Sequence, residues 1–273
     1  MAEAATPRHV TSRDNPLLVR LRKLASDPGA YRRTGLIWIE GEHLCAALVA
    51  RGGRPEQAVV TRSAWESQPG LHGLARRAAT VVVVEDALMA TLGTLESPAP
   101  IGFVVAWPGA AALVPGRPSV VLDRVQDAGN VGAIVRSAAA FGVTQVIALK
   151  GSAALWSPKV LRAGMGAHFA LHLVEAAEAD ALDAIGVPLI ATSSHAVDVL
   201  QSAELPWPCG WVFGHEGQGI AGRLLQRCAR TLRIAQPGGE ESLNVAAAAA
   251  VCLYESTRRR VTLPPAAPRP SSA

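Results

Sequence analysis

Three stretches in the second half of this 273-residue chain place polar side chains among glycines, each directly after an apolar run. In the first, Leu122-Asp123-Arg124-Val125-Gln126-Asp127-Ala128-Gly129-Asn130 leads into an Ala/Val/Ile helix that carries Arg136. Asn130 reads as the cap of that helix. Arg136 follows it by less than two turns, so both can face one anionic ligand near the helix N-terminus. The second stretch, Phe213-Gly214-His215-Glu216-Gly217-Gln218-Gly219, sets Glu216 in a glycine-rich turn whose backbone can approach a ligand closely. A carboxylate there needs donors, and Glu216 can hold backbone N–H groups or bind a ligand hydroxyl. The third runs from Ile234 through Pro237-Gly238-Gly239 to Ser242-Leu243-Asn244 and opens an alanine-rich helix. Capping accounts for one of Ser242 and Asn244, and leaves the other and the Gly-Gly turn to be explained. Each stretch alone has a structural explanation as a cap or a turn. Three of them after strands, in one half of the chain, point to a shared site.

Several chemistries lack their motifs. No Cys/His cluster has zinc spacing, and there is no G-x-G-x-x-G, no P-loop lysine and no G-x-S-x-G elbow. Cys45, Cys209, Cys228 and Cys252 form no C-x-x-C pair and read as reduced, mostly buried thiols of a cytoplasmic protein. The first ten residues carry no apolar signal region, and the longest apolar run, Val245 to Tyr254, is far short of a membrane span. Hydrophobic residues make up 49% and charged residues 18%, a globular composition with a formal charge of +4. The basic balance is compatible with a polyanionic partner.

The elements that must position these residues alternate. In the first half, Asn15-Pro16 starts a basic helix with Leu17, Leu18, Leu21 and Leu24 at helical spacing and Arg20, Arg22 and Lys23 between them. Strands follow at Leu36–Ile39, Gln57–Val60, Val81–Val84 and Phe103–Trp107, with helices at Glu42–Ala50, Leu71–Arg77 and Glu85–Leu92. Pro108 to Pro118 holds three prolines and two glycines and reads as a linker. Beyond it, strands are predicted at Ser119–Leu122, Gln145–Leu149, Ala170–Val174, Pro188–Thr192, Trp211–Phe213 and Thr231–Ile234. Helices are predicted at Val131–Phe141, Ser157–Ala163, Ala177–Ile185, Ala221–Arg227 and Asn244–Arg259. Continuous apolar strands separated by helices predict an α/β fold with a mainly parallel sheet covered on both faces, and ligands in such a sheet gather at the carboxyl ends of its strands. The organisation expected is therefore an N-terminal α/β domain over 1–107, a linker over 108–118, a second domain over 119–260 and a disordered tail over 261–273.

In order and spacing, Asn130-Val131-Gly132-Ala133-Ile134-Val135-Arg136, Phe213-Gly214-His215-Glu216-Gly217 and Glu241-Ser242-Leu243-Asn244-Val245 resemble the three motifs of the SpoU/TrmH family of RNA ribose 2′-O-methyltransferases, within the SPOUT superfamily. The match covers roughly Ser119 to Glu255. Upstream, Asn15-Pro16 with its basic helix and Ile39-Glu40-Gly41-Glu42-His43 are similar to the ribosomal-protein-like RNA-binding domain of many members. The resemblance implies a trefoil-knotted C-terminal domain, a homodimer and S-adenosylmethionine as cofactor. It implies that Gly214, Ile234 and Leu243 hold the cofactor, largely through backbone groups, and that Asn130, Arg136, Glu216, Ser242 and Asn244 form the catalytic group. The N-terminal domain favours ribosomal RNA over transfer RNA as substrate, since the smallest transfer-RNA members lack it. The other readings are a transfer-RNA ribose methyltransferase, an enzyme that methylates a base, and a non-catalytic RNA-binding relative.

The chain departs from the family pattern at three places. Ala128 stands where proline is common, Gly164 where serine often follows Arg-Ala, and Ala235-Gln236 where Pro-Met is usual. The reaction implied is in-line attack of a ribose 2′-oxygen on a sulfonium methyl. A guanidinium has no lone pair to accept a proton, so the part expected of Arg136 is to bind the adjacent phosphate and stabilise negative charge growing on that oxygen.

Overall fold

The structure, a computed structural model, describes residues 6–93, 98–238, 242–258 and 260. Glu241 and the tail from 261 lie outside the described residues.

The first half begins with β1 (Arg8–Val10) and α1 (Pro16–Ser26). The Asn15 side chain accepts a hydrogen bond from the Leu17 N–H at 3.0 Å, and Pro16 fills a first-turn position where no N–H is required. Leu18, Leu21 and Leu24 form the buried stripe of α1. There follow α2 (Ala30–Thr34), β2 (Leu36–Glu40), α3 (Glu42–Ala50), β3 (Gln57–Thr61), α4 (Arg62–Ser67), α5 (Pro69–Ala75), β4 (Thr80–Val84), α6 (Asp86–Met89) and β5 (Ile101–Ala106). The strands make a five-stranded sheet ordered β1-β4-β3-β5-β2. It is parallel through β1, β4 and β3, and antiparallel on both sides of β5.

The second half holds β6 (Ser119–Asp123), α7 (Ala128–Ala140), β7 (Gln145–Leu149), α8 (Pro158–Gly164), β8 (His172–Ala177), β9 (Leu189–Thr192), β10 (Gly210–Gly214), α9 (Gly222–Leu225), β11 (Arg230–Leu232) and α10 (Val245–Arg258). Its six strands are all parallel, in the order β11-β9-β10-β6-β7-β8. Side chains alternate across this sheet. Val120, Leu122, Val146, Ala148, Trp211 and Phe213 enter one core cluster, while Val121, Ile147, Leu149 and Val212 enter another. Burial on both faces is why these strands read as continuous apolar runs. From β6 the chain builds outward through β7 to β8, then returns to lay β9 and β10 on the other side of β6. Such a reversal is a topological switch point, and ligands of parallel sheets gather at the carboxyl ends of the strands near one.

The α/β class and the parallel second sheet agree with the sequence reading, with local differences. The helix expected from Val131 begins at Ala128, because Asp127 and not Asn130 caps it: the Asp127 carboxylate accepts from the Asn130 N–H at 2.7 Å. The segment expected as a helix over Ala177–Ile185 is strand at Ala177 and a single 3-10 stretch over Ala179–Ala184. The strand expected from Ala170 starts at His172, since Ala167–Ala170 is also 3-10. β1, α2 and α4 lack a periodicity long enough to be seen in the sequence. The proline-rich stretch before β6 is tied down: the buried Gln145 side chain accepts from the Val114 N–H at 2.8 Å and donates to the Val114 carbonyl at 3.2 Å.

Two glycines set how the helices over this sheet pack. A Cβ at Gly132 would stand 2.3 Å from the Ala163 Cβ and 2.8 Å from the Val160 carbonyl oxygen, so α7 and α8 meet backbone to backbone there. A Cβ at Gly164 would stand 2.3 Å from Cε1 of His168. His168 is buried, and its Nε2 pairs with the Leu155 carbonyl at 2.9 Å. The serine that often follows Arg-Ala in the family would collide with this ring. Glu175 joins the two halves: it accepts from the Tyr31 hydroxyl at 2.7 Å, Arg32 at 3.1 Å and the Leu155 N–H at 2.7 Å.

Candidate active site

A cleft of about 950 Å³ opens at the carboxyl ends of β9, β10 and β11, a size suited to a small-molecule ligand. Its walls are Thr192 to His195 after β9, Gly214 to Ile220 after β10, Leu232, Ile234 and Gln236 at and beyond β11, and Ser242 to Val245 where α10 begins. Gly214, Glu216, Ile234, Ser242, Leu243 and Asn244 thus all line one cleft. Residues from two of the three sequence stretches, some thirty positions apart, converge because β10 and β11 flank β9 in the sheet and end together.

Asn130 is joined to this group by hydrogen bonds. Asn244 caps α10, its Oδ1 accepting from the Ala246 and Ala247 N–H groups at 2.9 and 3.2 Å. That fixes its amide orientation, so Nδ2 donates to Oδ1 of Asn130 at 3.0 Å. Asn130 in turn donates from Nδ2 to Oε1 of Glu216 at 3.0 Å. The Glu216 carboxylate also accepts from the N–H of Asp127 at 3.3 Å and of Gln126 at 3.4 Å. The three stretches are therefore linked by a chain of hydrogen bonds running one way, from the α10 cap to an acceptor-only carboxylate. Partial burial pushes the Glu216 carboxyl up, but the Asn130 side chain and the backbone donors outweigh it and hold the group below its usual value. Asn130 is free to serve here because Asp127 has taken over the cap of α7.

Arg136 is not brought to this group. Six residues advance a helix by about 600°, which leaves Arg136 about 120° from Asn130 around the α7 axis. It is exposed, does not line the cleft and has no hydrogen-bond or ion-pair partner among the described residues.

The loop after β10 folds back on its own strand. The His215 N–H donates to the Gly219 carbonyl at 3.1 Å, and the Gly219 N–H to the His215 carbonyl at 2.8 Å. His215 Nδ1 accepts from the N–H groups of Gly217 and Gln218 at 3.0 and 3.2 Å, so the ring proton sits on Nε2. Gly214 has no room for a side chain: a Cβ would lie 2.3 Å from backbone atoms of Gly219 and Ile220. His215, Ser193, Ser194, His195 and Gln236 also line the cleft, and the sequence pattern alone marks none of them as a ligand contact. The loop after β9 stands at a strand carboxyl end like the others, and lacks the glycines that drew attention to them. Gln236 carries a feature that only the structure reveals: its Oε1 is buried with no hydrogen-bond partner among the described residues. An unpaired acceptor of that kind suits a ligand that brings N–H donors. Among the described residues no group of His, Cys, Asp and Glu is arranged to hold a metal ion.

The chain is similar to known RNA methyltransferases. Residues 117–254 match the model of the SpoU rRNA Methylase family. An uncharacterised tRNA/rRNA methyltransferase of Synechocystis is 31% identical over 92% of this chain and 94% of its own length. The 23S rRNA (guanosine(2553)-2′-O)-methyltransferase RlmP of Bacillus subtilis is 31% identical over 81% of this chain and 88% of its own. Among solved structures, an RNA 2′-O ribose methyltransferase superposes with a TM-score of 0.77 at 28% identity, covering 92% of this chain and 99% of that one. An AdoMet-bound rRNA methyltransferase from Sinorhizobium meliloti gives 0.81 at 25% identity, covering 93% and 99%. The chain belongs to the SpoU rRNA methylase family.

Proposed function

We propose that this protein transfers the methyl group of S-adenosylmethionine to a ribose 2′-hydroxyl of RNA, ribosomal RNA in particular, and works as a cytoplasmic homodimer. The observation that carries this reading is the Asn244–Asn130–Glu216 chain beside a cleft walled by Gly214, Ile234 and Leu243. The relatives named as rRNA methyltransferases and the AdoMet-bound neighbour support the same substrate and cofactor. The division into an RNA-binding part over 1–107, a linker and a methyltransferase part over 119–260 belongs to this proposal, as does the trefoil knot of the second part.

When bound, the cofactor supplies an electrophilic methyl on a sulfonium centre. The loops from Gly214, Ile234 and Leu243 hold it through backbone groups, with the unpaired Gln236 oxygen open to one of its N–H donors. Asn130, Asn244 and Ser242 bind and orient the ribose, and alignment of the attacking oxygen supplies much of the rate. Glu216 is ionised at neutral pH and accepts from three donors, which suits it to fixing Asn130 and the turn before α7. Arg136 binds the phosphate next to the reacting ribose and stabilises negative charge on its 2′-oxygen. Because Arg136 stands outside the cleft of its own chain, a second copy packed on α7 and α10 is the arrangement that delivers it. The exposed Val251 and Tyr254 of α10 support that surface as the dimer interface.

Incubation with methyl-labelled S-adenosylmethionine and ribosomal RNA from a strain lacking the enzyme tests the proposal. Incorporation that disappears with Asn130→Ala is expected. Cofactor binding with no incorporation into any RNA would instead favour the non-catalytic RNA-binding reading.

A further inference from the structure

One residue pair beside the cleft is unused by the chemistry above and is built at a conformational cost. Arg124 follows the last residue of β6 and holds φ at 58°, the left-handed region that residues with a side chain rarely adopt. Its stem runs over Gly151, where a Cβ would stand 3.1 Å from the Arg124 Cγ. Its guanidinium spans two strands' loops. Nε donates to Oδ1 of Asp123 at 3.1 Å and Nη2 to Oδ2 at 3.2 Å, a bidentate pair. Nη1 donates to the Gln218 side-chain oxygen at 2.8 Å, and Nη2 reaches the Gly219 carbonyl at 3.3 Å. Asp123, buried at the end of β6, also accepts from the Ala221 N–H at 2.7 Å. The segment from Gln218 to Ala221 is thus fastened to the end of β6 at three points, one side chain and two backbone groups.

We propose that Asp123 and Arg124 form a clamp that presets the Gly217–Ile220 loop for the cofactor, making Arg124 a positioning residue for S-adenosylmethionine affinity. This inference rests on the cofactor reading of the cleft. Gly217, Gln218, Gly219 and Ile220 all line that cleft, and glycines at 217 and 219 leave the loop little stiffness of its own. Without the clamp, the loop must be ordered at the expense of binding. The clamp touches neither the Asn244–Asn130–Glu216 chain nor Arg136, so it acts on binding more than on turnover. The left-handed backbone at 124 has a purpose in this account: it turns the guanidinium back over Asp123 toward the neighbouring loop.

The test compares the parent with Arg124→Gly and Arg124→Lys. Glycine accepts φ of 58° without strain, so Arg124→Gly removes the clamp while easing the backbone. Lysine can keep the charge beside Asp123 but cannot bridge to both Gln218 and Gly219. Calorimetric binding of S-adenosylmethionine is measured alongside the melting temperature and saturated turnover. Expected are a dissociation constant raised about tenfold in Arg124→Gly, a smaller rise in Arg124→Lys, a melting temperature lowered in Arg124→Gly by loss of the pair with Asp123 but still well above the temperature of the binding measurement, and turnover at saturating cofactor within about threefold of the parent. A dissociation constant within twofold of the parent in Arg124→Gly overturns the clamp alone. A parent that binds no S-adenosylmethionine overturns the cofactor reading and the clamp with it.

Discussion

At the scale of single residues, the site rests on the directionality of one hydrogen-bond chain. Glu216 can only accept, and Asn130, Asp127 and Gln126 all donate to it. In Glu216→Gln one oxygen becomes an N–H₂ that opposes either the Gln126 N–H or the donors shared from Asn130 and Asp127, which loosens the hold on Asn130 and the turn before α7. Single-turnover methyl transfer should fall about 100-fold, the scale of a misplacement of about 1 Å. Because the folded-state pKa of Glu216 is depressed, its stabilising contribution is complete above the ordinary carboxylate range and is lost as pH falls through the lowered value. Measured against pH, the parent should show this acid-side loss of stability, and Glu216→Gln should not. These residues were legible as candidates because polar side chains set among glycines after three strands exceed what a single cap or turn requires. Their roles were less legible. Asn130 and Asp127 are equally good caps, and only the fold shows that the charged one takes the cap and frees the other. Gln236 is visible in the sequence only as a departure from the family pattern, and its buried, unpaired oxygen is visible only in the structure.

At the scale of elements, close packing of α8 against its neighbours explains a residue that the sequence showed only as a departure. Gly164 leaves space for the buried His168 ring. Gly164→Ser should destabilise the protein by about 1–3 kcal/mol through overpacking. In a thermodynamic cycle with His168→Ala the two changes should be non-additive, because the smaller side chain makes room for the serine. His168 also predicts a pH dependence. Burial lowers its pKa from 6.5 to about 4, against a weaker upward pull from the Leu155 carbonyl. The unfolded chain therefore binds the extra proton first, and stability should decline as pH falls from 6.5 toward 4, a slope absent in His168→Ala. Long or strongly apolar elements such as β6, β7 and α10 were readable from their patterns. The 3-10 stretches Ala167–Ala170 and Ala179–Ala184 were not, since so few residues show no period that separates them from a helix or a strand end.

At the scale of the whole molecule, the parallel second sheet followed from continuous apolar strands, whereas its strand order did not. Nothing local says that β9 lies between β10 and β11, yet that placement brings the loops bearing Glu216 and Asn244 to one cleft. Nor does local pattern reveal that Glu175 ties Tyr31 and Arg32 to the parallel sheet. The proposed dimer makes its own prediction. Sedimentation should give twice the 28.4 kDa chain mass, and Tyr254→Glu, on the exposed face of α10, should give monomers with little methyl transfer. Where the methyl goes distinguishes a ribose methyltransferase from its alternatives. The most direct measurement is nucleoside mass spectrometry of ribosomal RNA treated with the protein and S-adenosylmethionine, for the parent and for Asn130→Ala. A new nucleoside with the added mass on the ribose, absent with Asn130→Ala, is the result predicted. A methyl on the base, or one that persists without Asn130, would contradict it.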